Sequence, residues 1–117
     1  MAIDERGTRD DRTFGGVGTK MLFENERVRV WEMRLAPGER SELHEHHHDY
    51  AMIQISGDRV AADFEPDSKD GWNGAEVGRV EGEVANGTVI FAEKGGKETA
   101  VNIGDEPFYE IIVELKD

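Results

Sequence analysis

The sequence predicts an all-β domain, a sandwich or barrel with no substantial helix. Short apolar stretches, several of them alternating with period two, follow one another closely, and 14 glycines punctuate a chain of 117 residues. No stretch keeps the i, i+3, i+4, i+7 apolar spacing of an amphipathic helix over three turns. A chain of this length can bury one core, since domains of about 100–150 residues are the commonest size.

The first strands are predicted from the apolar runs 19–24, 26–36 and 42–45, and Pro37-Gly38 ends the second of them. Glycine-containing pairs, which tolerate positive φ, separate the runs that follow. Between them lies one long polar loop, 65–75. The later strands are expected at 48–56, 58–64, 75–84, 87–93, 97–103 and 107–116.

The last predicted strand, 107–116, alternates between an apolar and a charged face, with Ile112 as the exception. We expect Ile112 to mark a second buried surface, such as a subunit contact. The apolar face carries Tyr109, Ile111, Val113 and Leu115, and the charged face carries Glu110, Glu114 and Lys116.

Composition narrows the function classes. The chain has 26 acidic and 14 basic side chains, a formal net charge of −12. This charge disfavours nucleic acid and anionic membranes as partners and favours attraction of metal ions. Cysteine is absent, which excludes disulfides and thiol catalysis. With no apolar run of the ~20 residues of a membrane span, and a charged rather than apolar start, we expect a cytoplasmic protein.

Residues 1–18 are predicted to form a flexible N-terminal arm, and residues 19–117 a single domain. The arm is rich in charge and glycine, and it has few apolar side chains to offset the entropy lost on ordering. The alternative is an arm that docks on a second subunit.

All four histidines lie within five residues, His44-Glu45-His46-His47-His48. In an extended segment, His44, His46 and His48 point to one face and His47 to the other. Imidazoles at i and i+2 on a strand can bind one divalent ion. The cluster therefore predicts a metal site with His44, His46 and His48 as ligands. The alternative is a solvated loop that binds metal only adventitiously.

The segment 38–57 resembles the first motif of the cupin family. In that motif a glycine and five residues precede His-x-His, which here is His44 and His46, and a glutamate and a further glycine follow. Gly87, Gly95 and Asn102 fall at the offsets of the second cupin motif.

The segments 25–38 and 100–117 also look like small single-domain cupins, a group associated with β-alanine degradation. The resemblance implies a double-stranded β-helix, or jelly-roll barrel, often paired as a homodimer. In most members of the family a metal ion lies inside the barrel.

Two of the four metal ligands that the resemblance implies are replaced in this chain. Tyr50 stands at the position of the ligand glutamate, and Glu98 stands at the position of the third histidine. An inward Glu98 adds a carboxylate to two imidazoles, an open metal set known from non-heme iron oxygenases. The alternative is a surface Glu98 on a hairpin beside Lys97.

Side chains near the histidines are candidates for substrate binding. Tyr50, Met52 and Gln54 share one strand face. Three roles are open for Tyr50: a weak metal ligand, a hydrogen-bond donor to the substrate, or a residue that only packs in the barrel. A buried Gln54 needs a partner, because an unsatisfied amide costs about 1–3 kcal/mol, unless it faces solvent or another subunit. Trp72, in the polar loop, covers an apolar edge or closes the pocket.

Two functions are consistent with these residues. The first is a metalloenzyme that holds iron, manganese, nickel, zinc or copper and performs dioxygenase-, isomerase- or lyase-type chemistry on a small organic molecule. Its catalytic candidates are Glu98, as ligand or general base, with Tyr50 and Gln54. The second is a non-catalytic cupin that binds a small ligand, with metal weak or absent, as the replaced ligands favour. A homodimer is expected, because Ile112 and the two-sided segment 28–35 leave apolar surface uncovered.

Overall fold

The computed structural model describes residues 12–69 and 74–116. The predicted all-β fold is confirmed, since these residues form nine strands and a single four-residue helical turn. The elements are β1 Lys20–Glu24, β2 Val28–Leu35, β3 His44–Glu45, β4 Asp49–Ser56, β5 Arg59–Phe64, α1 Gly74–Val77, β6 Arg79–Glu83, β7 Val89–Ala92, β8 Lys97–Asn102 and β9 Phe108–Leu115.

The strands form two antiparallel sheets. One has five strands in the order β1-β2-β9-β4-β7, and the other has four in the order β3-β8-β5-β6. The chain passes repeatedly from one sheet to the other, so that strands far apart in sequence, such as β2 and β9, become neighbours. This is the arrangement of a jelly roll, which keeps its inner faces together around one interior.

Both sheets contribute apolar and polar side chains to the interior. The five-stranded sheet supplies most of the apolar core, including Met33, Leu35 and Ile112, each 2% exposed. The four-stranded sheet buries polar side chains, among them His44 and Glu98. The five-stranded sheet also buries the polar side chains of Gln54, Glu110 and Glu114, so the interior combines an apolar core with polar groups from both sheets.

The predicted faces of the last strand are reversed in the structure. On β9 the buried positions are Phe108, Glu110, Ile112 and Glu114, while the apolar residues between them are only partly covered or exposed. Ile112 is a core residue, so its expected role in a subunit contact is wrong. The alternation separated the two faces correctly, but the face with the carboxylates points inward because the interior accommodates polar groups.

A second difference lies in the predicted strand 75–84. The chain forms the helical turn α1 first and then the shorter strand β6. Gly78, between them, has φ of +84°, a left-handed conformation that ends the turn and redirects the chain into the strand. The predicted strand 42–45 is also shorter, because β3 begins only at His44.

Part of the predicted arm 1–18 is described, from Arg12 onward. Arg12 pairs with Asp67 at 3.0 Å and with Glu65 at 3.2 Å. Val17 is 5% exposed and belongs to the core. Residues 12–18 therefore pack on the barrel, and the rest of the predicted arm lies outside the described residues.

The asparagine of the second motif has a structural role. Asn102 is 1% exposed, and its Nδ2 donates to the carbonyl oxygens of Leu35 and Glu106. Its Oδ1 accepts a hydrogen bond from the Gly104 amide at 2.9 Å. One side chain thus satisfies three buried or partly buried backbone groups and joins the end of β2 to the turn that precedes β9.

Candidate metal centre and adjoining cavity

The pairing of β3 with β8 brings two histidines and a glutamate together. His44 lies opposite Glu98 in the antiparallel register. Hydrogen bonds between His46 and the turn before β8, from His46 N to Gly96 O and from Gly95 N to His46 O, hold the next histidine beside them. All three side chains are buried: His44 and His46 are each 2% exposed and Glu98 is 6% exposed. The surface alternative for Glu98 is therefore wrong.

The side-chain nitrogens of both histidines converge on one oxygen. His46 Nε2 lies 3.1 Å from Glu98 Oε1, and His44 Nε2 lies 3.5 Å from the same atom. Ligands that share a metal ion at about 2.0–2.1 Å are separated from one another by roughly 3.0–3.4 Å. The His46 separation of 3.1 Å lies within this range, and the His44 separation of 3.5 Å lies just above it.

His44 faces the Glu98 oxygen with the lone pair of its Nε2 atom. Its Nδ1 lies 2.9 Å from the backbone oxygen of Glu42, an acceptor, so Nδ1 carries the proton and donates. The Nε2 of a neutral ring then faces the Glu98 carboxylate with a lone pair. Two lone pairs facing each other require a positive charge between them, either a proton or a metal ion. A backbone carbonyl that fixes the tautomer in this way is the usual support of a metal-binding histidine.

The ionisation of the group favours metal binding. Burial lowers the pKa of His46, against the opposing effect of Glu98, so that the ring is neutral at pH 7. Burial alone would raise the pKa of Glu98, but the adjacent His44 and His46 side chains together outweigh it and hold that pKa below its usual range. Neutral imidazoles and an ionised carboxylate are the protonation states that a divalent ion needs.

Two polar atoms of the group have no hydrogen-bonding partner among the described residues. They are His46 Nδ1 and Glu98 Oε2, both buried. Buried polar atoms are almost always hydrogen-bonded, so two unsatisfied atoms on neighbouring side chains indicate a site for something outside the chain. His44, His46 and Glu98 have ligand atoms within 4.8 Å of one another, and the three residues fit a divalent metal ion.

His48, the third predicted ligand, is not brought into this group. It is half-buried, whereas His47 is exposed. The reason is that β3 ends at Glu45, so the strict strand alternation that places His44 inward is not maintained as far as His48.

A cavity of about 350 Å³ adjoins the group. Met52 and Gln54 from β4 line it, as predicted from their shared face. Gln54 is 3% exposed, and its Oε1 accepts a hydrogen bond from the Ala85 amide at 3.2 Å. Gln54 therefore faces the interior rather than solvent, with its amide nitrogen available to a ligand.

Tyr50 stands at the motif position of a metal ligand, but its side chain packs against His46, one of the candidate ligands, and does not join the group. Its ring stacks on His46, with centroids 3.8 Å apart and planes 8° from parallel. It is 2% exposed and is not among the residues that line the cavity. Tyr50 thus fixes the orientation of the His46 ring. Trp72 lies outside the described residues.

Glu110 lines the same cavity and was not predicted there. It is 7% exposed, and it lies opposite Gln54 in the pairing of β4 with β9. Burial first, and the negative charge of Glu98 second, raise the pKa of Glu110 to about 8. The signal in the sequence was Ile112, which shares its strand face and indicated that this face is the buried one.

Comparison with solved structures shows the fold. A cupin domain from Bordetella pertussis Tohama I is 21% identical, with a TM-score of 0.67 over 88% of this chain and 100% of that chain. An RmlC-like cupin from Methanocaldococcus jannaschii, described as a double-stranded β-helix, is 18% identical, with a TM-score of 0.64 over 92% of this chain and 84% of that one. The chain therefore has the cupin fold.

A third solved structure is the polyketide cyclase RemF from Streptomyces resistomycificus. It is 16% identical, with a TM-score of 0.55 over 80% of this chain and 57% of that one. No protein-family model and no curated protein sequence matches the chain. Among the described residues, no helix has the length and apolar character needed to cross a membrane.

Proposed function

We propose that this protein binds a divalent transition metal through His44, His46 and Glu98 and acts on a small organic molecule held in the adjoining cavity. One observation carries the proposal: ligand atoms of three buried side chains converge at the wall of a largely apolar cavity, and the other polar atoms of His46 and Glu98 are unsatisfied among the described residues. Iron, manganese, nickel, zinc and copper all accept such nitrogen and oxygen ligands. When bound, the metal supplies Lewis-acid or redox chemistry.

The residues around the metal group have distinct tasks in this proposal. Tyr50 holds the His46 ring in place by stacking. Gln54 orients the substrate through its free amide nitrogen, and Met52 contributes an apolar wall. Glu98 completes the ligand set or takes a proton from the substrate as a general base. The cupin-fold neighbour described as a polyketide cyclase supports a small organic substrate.

A second candidate function is a cupin that binds a small ligand without catalysis. The observation that favours it is the placement of Tyr50, which stacks on a histidine instead of offering a fourth ligand. In such a protein a proton occupies the space between His44 and Glu98.

Metal content of tag-free protein distinguishes the two functions. We expect one transition-metal ion per chain in the wild type, and its loss in His44→Ala and in His46→Ala. His47→Ala is the matched control, because its side chain is 72% exposed and outside the group. A substrate screen with measured oxygen uptake then tests the enzyme. Stable wild-type protein with no affinity for any of the five metals would favour the non-catalytic binder.

We also propose a homodimer formed through the outer face of the five-stranded sheet. One row of paired residues crosses all five strands and is apolar throughout: Phe23, Val30, Val113, Ala51 and Phe91. Its two end residues, Phe23 and Phe91, are 54% and 56% exposed. A continuous apolar face of this kind is typical of a protein contact rather than of free surface.

A further inference from the structure

Glu110 is a buried carboxylate that the metal group does not use. Its side chain and that of Gln54 are register partners on β9 and β4, so both point from the sheet into the cavity. Glu110 is 7% exposed, and among the described residues no hydrogen bond or ion pair engages its carboxylate. A polar group in this position is expected to have a partner, and the cavity is the space from which one can come.

The charges of the cavity lining are all of one sign. Glu98 and Glu110 lie inside, Glu81 and Glu83 of β6 lie at its exposed side, and no lysine or arginine is among the described lining residues. Arginines of β5 and β6 pair with Glu81. An anionic ligand that approaches Glu110 therefore meets a like charge, with no lysine or arginine among the described lining residues to pair with it.

A cationic ligand would be attracted to Glu110 rather than repelled by it. Burial raises the pKa of Glu110 to about 8, because an ionised carboxylate without a partner is poorly solvated in this environment. An ammonium group beside Glu110 supplies the missing counter-charge and hydrogen-bond donors, and buried charges are tolerated when they are paired.

We propose that the cavity selects a small organic cation, a primary amine on an apolar body, with its ammonium group against Glu110. The proposal rests on one part of the proposed function, that the cavity is the ligand-binding site, and it adds the chemical class of the ligand. The apolar body packs on Met33, Met52, Ile90, Phe108 and Ile112, which line the same space. At about 350 Å³ the cavity is at the small end of ligand pockets, which suits a single six-membered ring.

Three ligands of equal size and different charge test this preference on metal-free protein. Cyclohexylamine, cyclohexanol and cyclohexanecarboxylate are titrated at pH 7.5 and followed by calorimetry and protein NMR. We expect the amine to bind at least about tenfold more tightly than the alcohol, and the carboxylate not to bind. Equal or tighter binding of the alcohol or the carboxylate would overturn the proposal.

Glu110→Gln removes the charge and keeps the shape of the side chain. We expect it to reduce amine affinity to that of the alcohol. Glu114→Gln is the matched control, because Glu114 is a buried glutamate of the same strand face that bonds Trp31 and lies outside the cavity lining. An amine preference unchanged in Glu110→Gln contradicts the role of Glu110.

The pH dependence gives a second signature. Since Glu110 must release its proton to pair with the cation, amine affinity should rise up to about tenfold per pH unit between pH 6 and 8 in the wild type, and remain flat in Glu110→Gln. The variant keeps every other titratable group that faces the cavity, so the difference between the two profiles reports Glu110. These groups are His44, His46, Glu81, Glu83 and Glu98.

The outcome is separable from that of the proposed function. If the protein binds no divalent metal but prefers the amine, the metal proposal fails and the inference about Glu110 stands. If metal binds at His44, His46 and Glu98 but the three ligands bind equally, the inference about Glu110 fails and the metal proposal stands.

Discussion

At the residue scale, Glu98 shows how a motif position can keep its place while its chemistry changes. The offset from the second motif placed it where a histidine is usual, and the structure brings it within 3.1 Å of His46 and 3.5 Å of His44. Sequence could identify the position because Glu98 lies at a fixed offset from Gly87 and Gly95 of the second motif. It could not assign the role of Glu98, which depends on what lies between the three side chains.

Glu98→Gln and Glu98→His separate the ligand role from the general-base role. If Glu98 is a ligand, Glu98→Gln should weaken metal affinity by at least about 10–100-fold, since changing a residue that only hydrogen-bonds to a ligand already has that effect, and Glu98→His should restore it. As a base, Glu98→Gln should retain metal and lose turnover. Metal stoichiometry and activity, measured on both variants beside wild type, decide between the roles. Full metal occupancy and unchanged activity in both variants would show that Glu98 is neither a ligand nor a general base.

Glu110 should make stability fall as pH rises. Its folded pKa of about 8 lies above the ordinary value of 4.5, so between these pH values the folded state holds a proton that the unfolded state releases. The contribution of protonated Glu110 to the free energy of unfolding is complete below pH 4.5 and lost by about pH 8. Each unit of pKa difference between the folded and unfolded states corresponds to about 1.4 kcal/mol. Glu110→Gln should therefore raise the free energy of unfolding at pH 8 by a few kcal/mol and little at pH 5.

Urea unfolding of wild type and Glu110→Gln at both pH values checks this prediction. Glu106→Gln is the control, since Glu106 is exposed. An unfolding free energy that changes equally at pH 5 and pH 8 contradicts the raised pKa.

At the element scale, β9 shows the limit of reading a strand from its pattern. Period-two alternation identifies two faces, but choosing the inner one assumes that the interior is apolar. Here the interior contains a polar site, and Glu114 is buried because it accepts a hydrogen bond from Trp31 Nε1 and lies 3.7 Å from Arg29. These partners come from β2, far along the chain, so local sequence could not reveal them.

Asn102→Ala should destabilise the barrel. The variant leaves the Leu35 and Glu106 carbonyls and the Gly104 amide without their partner, and each unsatisfied buried group costs about 1–3 kcal/mol. We expect a loss of roughly 2–5 kcal/mol in the free energy of unfolding, measured by chemical denaturation.

Asn25→Ala is the matched control for that variant. Asn25 also binds backbone groups, the amides of Arg27 and Val28, but in an exposed turn where water replaces the lost bonds. We expect Asn25→Ala to lower the free energy of unfolding by about 1 kcal/mol or less. Equal losses in the two variants would show that burial of the Asn102 interactions contributes nothing.

At the scale of the whole molecule, the five-stranded sheet has an apolar face on both sides. The inner face forms the core, and the outer face carries the row from Phe23 to Phe91. A second row of register partners, Val89, Ile53 and Ile111, runs beside it. A homodimer was predicted from the sequence, and this outer face is the surface that we propose for it.

Phe91→Asp should convert the dimer to a monomer, because it places a charge in the apolar row. Sedimentation velocity at micromolar concentration measures the change. Val77→Asp is the control, since Val77 is 62% exposed but lies on α1, outside the sheet. A wild-type protein that sediments as a compact monomer contradicts the proposed interface.

We have proposed that His44, His46 and Glu98 form one metal site inside the barrel. The most direct test is a crystal structure of tag-free protein with anomalous diffraction measured at the absorption edge of the metal found in it. We expect one anomalous peak, within about 2.0–2.2 Å of His44 Nε2, His46 Nε2 and a Glu98 carboxylate oxygen. A peak only at the exposed His47, or well-ordered side chains with no peak between them, would contradict it.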